Sequence, residues 1–552
     1  MTLRPLAILC CLMVSCSPLE QSTQSALEDS RSASVIKSHM AFLADDALEG
    51  RGIATRGEAL AALYIKTEFA KLGLEPMGVD GFVQPVPLRA TGIDLDRTVF
   101  ESKINGQTSS YVNGKDIVIY GDETRPSVDL SGDVVFAGHG IEAPELGIND
   151  YEDLDVSGKI AIVLGGPPAF LPSAEAAHFG RALEKQKMAA RNGAIALVRI
   201  YTPEQDEWFS FKNFYAFMKS PRYAWRPSGD ESLNDDPSIP TFRLNVNASR
   251  RIFKGAKRDV DAVINEGRTG AVKGFHLESS AALHLASTHD DTLSSANVAG
   301  LMEGSDPLLK NEFVIVTAHY DHVGICGPES AEDRICNGAI DNAFGVAAML
   351  DVARQLSLSD QRPARSILFL AVGAEEEGLL GSDYFVNHPT VQRDKIVANI
   401  NMDGGLPFYD FSDVIAFGAE QSEMGERLAT AVAPMGLTVA PDPFPEESIF
   451  TRSDQYSFVK KGIPALFLYN GFTNLEGENV GRALWDDSIA NHYHSPSDDL
   501  NRPIDYDVSA KYSDVFKRLL VETANAPTRP LWYKDSVFGK RFAPNSFKAE
   551  RR

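Results

Sequence analysis

A chain of 552 residues, with 43% hydrophobic and 23% charged residues, is long enough for one large globular domain and one or two smaller ones. Its formal net charge of −23 argues against nucleic acid as a partner, because phosphate binding requires clustered Lys and Arg. The acidity is compatible with cation binding, but a soluble acidic surface explains it more simply.

The first residues predict export from a bacterial cell. Arg4 precedes an apolar run from Leu6 to Val14, which is too short to span a bilayer and is typical of a signal peptide over residues 1–15. The run ends in "LMVSC", which resembles a bacterial lipoprotein signal. This resemblance implies that Cys16 is lipidated and anchors the chain to the cell envelope, at the outer membrane or periplasm if the cell has them. Secretion without a lipid is the alternative. No other stretch is long and apolar enough to cross a membrane, so membrane association is expected only through the lipid.

The next segments differ in composition and in the spacing of their apolar residues. Polar residues 16–34 predict a flexible tether, and apolar residues at helical spacing predict a helix from about Gly57 to Leu72. Around residue 130 the sequence becomes β-rich, which predicts a small insert over residues 130–268. The remaining predicted segments are the main domain, in two parts at 35–129 and 269–525, and a C-terminal tail at 526–552.

From residue 296 onward, predicted strands and helices alternate, which indicates an α/β domain with a mostly parallel central sheet flanked by helices. The predicted strands are 312–318, 366–372, 396–402, 413–417 and 464–469, and the predicted helices are 343–356, 380–387 and 421–435. In such folds, ligands bind beyond the carboxyl ends of the strands.

Acidic and histidine side chains follow these strands. They are His319 and Asp321, then Asp341 before a helix, then Glu375, Glu376 and Glu377, then Asp403, and finally His492 and His494. Catalytic zinc takes His nitrogen and carboxylate oxygen ligands. Two metals about 3.5–4 Å apart, bridged by a carboxylate, can activate one hydroxide between them. The sequence therefore predicts a two-metal site at this edge of the sheet.

The motifs "HYD", "GAIDNAFG", "AEEEGLLGS", "NMD" and "YHS" occur in this order, and in this they resemble the di-zinc aminopeptidase family, metallopeptidase family M28. The resemblance spans about 35–125 and 270–525, and its motifs are most specific over 317–404. The insert at 130–268 resembles a protease-associated domain. The implied fold is that of the zinc exopeptidases, with the catalytic domain formed by the two parts of the main domain.

Carried over residue by residue, the resemblance implies two Zn²⁺ ions per chain, with other divalent metals as alternatives. Asp341 would bridge both metals, His319 and Asp403 would complete one, and Glu376 and His494 the other. Glu375 would be the general base, and Asp321 would accept the N–H of His319 and fix its tautomer. His322 is expected to pack or hydrogen-bond beside the site, and His492 to be an exposed neighbour of the ligand His494. In the segment "RSDQYSF", Gln455 occupies the position where many family members have His. The contact with substrate that this His implies is therefore not expected here.

The implied function is an exported aminopeptidase that acts on peptides through a metal-bridging hydroxide and a glutamate base. A carboxypeptidase or dipeptidase of the same fold is an alternative. Glutaminyl cyclisation requires a single zinc, and a non-catalytic surface binding protein would have lost ligands, so the complete ligand set argues against both. The sequence leaves the oligomeric state open.

Two cysteines, Cys326 and Cys336, lie in the loop between His319 and Asp341. An oxidising compartment permits them to form a disulfide, which would order this loop beside the site. Two buried free thiols, or thiolate binding of a third metal, are the alternatives.

Overall fold

The structure is a computed structural model that describes residues 18–551 except 167, 219, 227–237, 328, 445–446 and 448. The α-helices are α1 (Pro18–Leu43), α2 (Arg56–Lys71), α3 (Ser173–Gly180), α4 (Ala182–Arg191), α5 (Pro203–Trp208), α6 (Phe211–Phe217), α7 (Val246–Ile252), α8 (Val260–Gly267), α9 (Gly345–Ser357), α10 (Leu380–Asn387), α11 (Met424–Val432), α12 (Gln455–Val459), α13 (Gly481–Asp487), α14 (Tyr506–Asn525) and α15 (Val537–Phe542).

The strands are β1 (Glu75–Pro76), β2 (Val83–Ile93), β3 (Val99–Ile104), β4 (Gln107–Tyr111), β5 (Ile117–Ile119), β6 (Ser127–Phe136), β7 (Glu142–Ala143), β8 (Ile148–Asn149), β9 (Ile160–Leu164), β10 (Ala196–Tyr201), β11 (Arg222–Trp225), β12 (Thr241–Asn245), β13 (Phe275–Asp290), β14 (Ser294–Met302), β15 (Phe313–His319), β16 (Ser366–Val372), β17 (Ile396–Met402), β18 (Asp413–Phe417), β19 (Thr438–Ala440), β20 (Ala465–Asn470), β21 (Trp532–Tyr533) and β22 (Lys548–Ala549).

The larger sheet has the order β2–β14–β16–β15–β17–β20–β18–β19, with β1 also paired to β14. The central strands β16, β15, β17 and β20 run parallel. Apolar side chains of α1, α2, α9, α11 and α14 cover one face, and those of α10, α12 and α15 cover the other. Parallel strands buried on both faces consist of continuous apolar runs, which explains why the predicted bounds of β16, β17 and β18 match the structure. The predicted α/β fold with a mostly parallel sheet is confirmed.

The smaller sheet has the order β5–β12–β10–β9–β6–β13–β3–β4. It includes strands from Val99 to Asp290 and is therefore wider than the insert predicted over 130–268. The difference arises because the long strand β13 pairs with both β3 and β6, a contact between distant segments that local sequence texture does not reveal. Strands β11 and β13 also pair with β2, which links the two sheets.

The flexible tether predicted over residues 16–34 is wrong from Pro18 onward, where α1 begins. Arg354 donates hydrogen bonds to Glu28 Oε1 at 2.7 Å and to Ser32 Oγ at 3.1 Å, and Ile36 and Met40 are fully buried. These contacts dock the helix on α9 and α14. The predicted signal peptide and Cys16 lie outside the described residues. In the part of the chain that the structure describes, no helix is both long and apolar enough to span a membrane.

Candidate metal centre

The candidate site lies at the carboxyl ends of three neighbouring parallel strands. His319 is the last residue of β15, Glu375 and Glu376 follow β16, and Asp403 directly follows β17. Two further residues reach this edge from loops. Asp341 lies in the irregular turn Ala339–Phe344 that leads into α9, and His494 lies in the loop before α14.

The first group of ligand atoms surrounds the Nε2 atom of His319. This nitrogen is 3.1 Å from Asp403 Oδ1 and 3.2 Å from Asp341 Oδ1. The second group surrounds the Nε2 atom of His494, which is 3.0 Å from Glu376 Oε2 and 3.4 Å from Asp341 Oδ2. Asp341 thus directs one carboxylate oxygen toward each group. The structure brings together all five residues predicted as metal ligands.

The spacing of these atoms fits two metal ions. Two ligands bound to zinc at about 2.0–2.1 Å and at a tetrahedral angle are about 3.3 Å apart, and the four separations around His319 and His494 range from 3.0 to 3.4 Å. In addition, the Nε2 atom of His494 is buried and has no hydrogen-bond partner among the described residues. A buried, unpaired imidazole nitrogen surrounded by carboxylates is the arrangement that a zinc ion completes.

His322 is part of the second group, which also includes Asp341, Glu376 and His494. Its Nδ1 atom is 2.7 Å from Glu376 Oε1, a hydrogen-bond distance that is shorter than the ligand separations above. His322 therefore holds one oxygen of Glu376 while the other oxygen faces His494. From the sequence, His322 was expected only to pack or hydrogen-bond beside the site. The fourth residue of "HYDH" is the signal that could have indicated this contact.

Asp321 has a different role from the one predicted. Its carboxylate oxygen is 3.8 Å from His319 Nδ1, and this nitrogen lies closer, at 3.2 Å, to the main-chain oxygen of Asp321. The carboxylate instead accepts hydrogen bonds from the main-chain amides of Glu375 at 3.1 Å and Glu376 at 3.3 Å. Both oxygens are used by these amides, so Asp321 positions the segment that carries the two glutamates.

Two more residues outside the predicted set support the ligands. The side chain of Arg51 is buried and donates to the main-chain oxygens of Tyr320 at 2.7 Å, Asn337 at 2.6 Å and Gly338 at 3.0 Å, as well as to that of Leu43. Asn342 donates to the main-chain oxygens of Met402 and His319. These bonds connect the loops that carry His319, Asp341 and Asp403. No sequence motif considered above indicated Arg51.

The residues near the ligands also have defined partners. Gln455 is buried, accepts a hydrogen bond from Asn401 at 2.9 Å and donates one to the main-chain oxygen of Phe450 at 2.8 Å. Gln455 therefore contacts strand β17 through Asn401. His492 contacts Ser497 Oγ at 2.9 Å and belongs to neither ligand group.

The charges of the site shift several pKa values in the metal-free protein. Burial alone would raise the pKa of Asp341, but the neighbouring imidazoles of His319 and His494 hold it well below its usual value. Burial likewise opposes the charged form of His494, but Glu376 and Asp341 raise its pKa to about 10. Burial, together with the charges of Asp403 and Glu376, raises the pKa of Glu375 well above its usual value. The protonated imidazoles thus balance carboxylates that would otherwise repel one another.

A disulfide joins Cys326 and Cys336, whose Cα atoms are 5.8 Å apart. It lies in the loop between His319 and Asp341. Main-chain hydrogen bonds run from Cys326 to Arg334 and from Cys336 to Gly324, so the loop forms a short antiparallel bridge around the disulfide.

Residues 297–520 match the model of Peptidase family M28. The chain is 36% identical over 114 residues to aminopeptidase YwaD of Bacillus subtilis. This alignment covers 20% of this chain and 22% of that protein. It is 30% identical over 217 residues to the probable leucine aminopeptidase 2 of Aspergillus fumigatus. This alignment covers 37% of this chain and 39% of that protein. The matches therefore span less than half the length of these relatives.

Solved structures align over most of the chain at low identity. An aminopeptidase from Aneurinibacillus sp. strain AM-1 aligns with a TM-score of 0.47 and 18% identity, over 90% of this chain and 95% of that one. A zinc aminopeptidase from Bacillus subtilis, BSAP, aligns with a TM-score of 0.42 and 21% identity, over 91% and 97% of the two chains.

Proposed function

We propose that this protein is an exported, zinc-dependent exopeptidase that removes N-terminal residues from peptides. The match of residues 297–520 to the model of Peptidase family M28 supports this proposal. The observation that carries the proposal is the position of Asp341 between His319 and His494, with one carboxylate oxygen toward each. In this arrangement one carboxylate can serve two metal positions. Each position is then completed by one histidine and one further carboxylate.

The two zinc ions, when bound, would supply Lewis-acid polarisation of the scissile carbonyl and lower the pKa of a water molecule. His319, Asp403 and Asp341 would hold one ion, and Asp341, Glu376 and His494 the other. His322 would keep Glu376 oriented through its 2.7 Å contact, and Asp321 would fix the main chain of Glu375 and Glu376.

Glu375 is the proposed general base. Glu375, His319 and Glu376 each have one potential ligand atom, and these three atoms lie within 4.8 Å of one another. Glu375 is nevertheless in neither of the two groups that would hold the zinc ions. Burial raises its pKa, which suits a group that must take a proton from the attacking water and then give it to the leaving amine.

The direction of cleavage rests on the relatives. Proteins named as aminopeptidases occur among the curated matches, from Bacillus subtilis and from mouse. Export and anchoring through Cys16 rest on the sequence of the first residues alone, and we include them in the proposal on that basis.

Amino-acid anilides and a matched pair of peptides, one with a free and one with an acetylated N-terminus, test this proposal. We expect hydrolysis of the anilides and of the free peptide only, loss of activity with a chelator, and recovery with zinc. Release of C-terminal residues from the acetylated peptide would instead indicate a carboxypeptidase. Cyclisation of N-terminal glutamine would indicate a cyclase, and zinc binding without any turnover would indicate a binding protein.

A further inference from the structure

We propose that Trp225 is a positioning residue for the metal centre, because it holds the segment of residues 374–379 that carries Glu375 and Glu376. We call residues 374–379 the glutamate segment. Trp225 lies on β11, which in the chain stands between strands β10 and β12 of the smaller sheet. The inference rests on the proposed peptidase function and adds to it a role for the junction between the two sheets.

The glutamate segment has a backbone conformation that depends on its surroundings. Its first and last residues, Ala374 and Leu379, have φ angles of 58° and 66°. Residues other than glycine rarely adopt such left-handed angles, because Cβ then approaches a carbonyl oxygen. Within the segment, the amides of Gly378 and Leu379 donate to the main-chain oxygen of Glu375 at 2.9 and 2.7 Å. A strained conformation of this kind persists where packing around it determines it.

An apolar cluster provides such packing at both ends of the glutamate segment. Ala374 is fully buried in this cluster, together with Leu380, which is the first residue of α10. The other buried members are Val86 and Leu88 of β2 and Trp225 of β11. Trp225 is 7% exposed. Its indole is therefore part of the packing where the segment begins and where it enters α10.

A hydrogen bond also connects the indole to the first turn of α10. Trp225 Nε1 donates to Asp383 Oδ2 at 2.9 Å, and Lys460 Nζ donates to the other oxygen at 2.8 Å. Burial opposes the charge of Asp383, but Lys460 and then this hydrogen bond lower its pKa to about 2. The acceptor is thus a carboxylate at neutral pH, which strengthens the bond. The indole also lies edge-on to the rings of Tyr384 and His388, at centroid distances of 5.6 and 5.4 Å.

The strand that carries Trp225 is fixed at the junction of the two sheets. Trp225 is paired with Leu88 of β2, and the main-chain amide of Arg226 donates to the oxygen of Pro87 at 2.7 Å. Strand β2 in turn pairs with β14 of the larger sheet and with β13 of the smaller sheet. The position of the indole therefore depends on this junction, and a displacement of the indole would disturb the glutamate segment.

Ordinary packing between two sheets is the alternative, and it predicts a different result. A packing role would affect the stability of the fold and would act on both zinc positions alike. A positioning role acts on Glu375 and Glu376. It therefore affects kcat more than KM, and it affects the zinc position that includes Glu376 more than the other.

The test compares Trp225→Phe, which keeps an aromatic ring and removes the hydrogen bond, with Trp225→Ala, which removes both. On an amino-acid anilide, we expect kcat of the zinc-loaded protein to fall about tenfold in Trp225→Phe and about a hundredfold in Trp225→Ala, as small misplacements of reacting groups do. KM should stay nearly constant. Zinc binding at the Glu376–His494 position should weaken about tenfold in Trp225→Ala, while the His319–Asp403 position stays unchanged. If Trp225→Ala does not fold, Trp225→Phe decides.

Trp532 provides the matched control. It is 2% exposed and also donates a hydrogen bond of 2.9 Å through Nε1, in this case to the main-chain oxygen of Gly462. Trp532→Phe therefore removes the same kind of bond at a different place in the fold. It should lower the melting temperature and leave kcat and both zinc-binding steps unchanged.

Hydrogen exchange of the metal-free protein tests the inference without zinc or turnover. The amides of Glu375 and Glu376 are bonded to Asp321, and we expect a peptide that covers residues 374–380 to exchange faster in Trp225→Phe but not in Trp532→Phe. If the wild type hydrolyses no peptide, the proposed function fails and this exchange still decides the inference. Unchanged exchange, kcat and zinc binding in both Trp225 variants would overturn it. Equal weakening of both zinc steps would also overturn it, because it would assign Trp225 to the general stability of the fold.

Discussion

His322 Nδ1 lies 2.7 Å from Glu376 Oε1, while Glu376 Oε2 lies 3.0 Å from His494 Nε2. One oxygen of Glu376 is thus held by a hydrogen bond and the other is free to bind metal. Hydrogen bonds of this kind orient a ligand and typically account for about 10–100-fold in metal affinity.

We therefore predict that His322→Ala weakens zinc binding at the Glu376–His494 position by about 10–100-fold and leaves the His319–Asp403 position nearly unchanged. Competition with a chromogenic chelator, which resolves two binding steps, measures both. His492→Ala is the matched control, since His492 is in neither ligand group. Equal weakening of both steps in His322→Ala would contradict the assignment.

Glu375→Gln should lower turnover by roughly 10²–10⁴-fold and keep both metals, because it removes the base and no ligand. Glu376→Gln should lose a metal. Metal content by mass spectrometry and steady-state kinetics on an amino-acid anilide separate the two. If Glu375→Gln lost a metal while Glu376→Gln kept both, the roles of the two residues would be reversed.

The stability of the metal-free protein should depend on pH through His494. Burial lowers the folded-state pKa of His494, but the neighbouring carboxylates of Glu376 and Asp341 outweigh this effect and raise the pKa from 6.5 to about 10. A raised folded-state pKa means that this contribution to the free energy of unfolding is fully present below about pH 6.5 and is lost as the pH rises toward 10. Denaturant unfolding of metal-free protein between pH 6 and 10 should show this decline, and His494→Gln should reduce it. Zinc displaces the imidazole proton, so zinc affinity should instead rise with pH over the same range. A metal-free protein that gains stability from pH 6 to 10 through His494 would contradict this prediction.

Reduction of the Cys326–Cys336 disulfide should weaken zinc binding before the domain unfolds. The bridge closes a short loop with a sequence separation of 10 residues, between His319 and Asp341, and the chain-entropy model assigns such a loop roughly 2–3 kcal/mol. Thiol counting after denaturation of unreduced protein should give no reactive thiol from this pair. Zinc affinity of the Cys326→Ser, Cys336→Ser double variant measures the local effect. Unchanged affinity in this variant would show that the bridge does not order the ligands.

Cys16→Ser should release the protein from the membrane fraction if Cys16 carries the lipid, because a signal peptide alone leaves no anchor. Fractionation of cells that express wild type and variant, followed by mass analysis of the mature N-terminus, measures this. Equal amounts of both proteins in the soluble fraction would indicate plain secretion.

The sequence alone determined the elements whose information is local. The continuous apolar runs of β16 and β17 define strands buried on both faces, and polar residues directly after such strands, such as His319 and Asp403, must lie at the same edge of a parallel sheet. The resemblance to family motifs then implied the roles proposed for Asp341, Glu376 and His494, which lie in loops without a periodic pattern.

Only the tertiary structure decided which partner each polar group takes. The carboxylate of Asp321 bonds the amides of Glu375 and Glu376, because the loop after β16 brings two main-chain donors to it. Arg51 reaches the loops of His319 and Asp341 although 269 and 286 residues separate it from Tyr320 and Asn337. Helix α1 is held against α9 by the contacts of Arg354 with Glu28 and Ser32, and the extent of the smaller sheet depends on the pairing of β13 with β3 and β6. These contacts join segments that are distant in the chain, and their energies depend on burial and geometry that no local window of sequence contains.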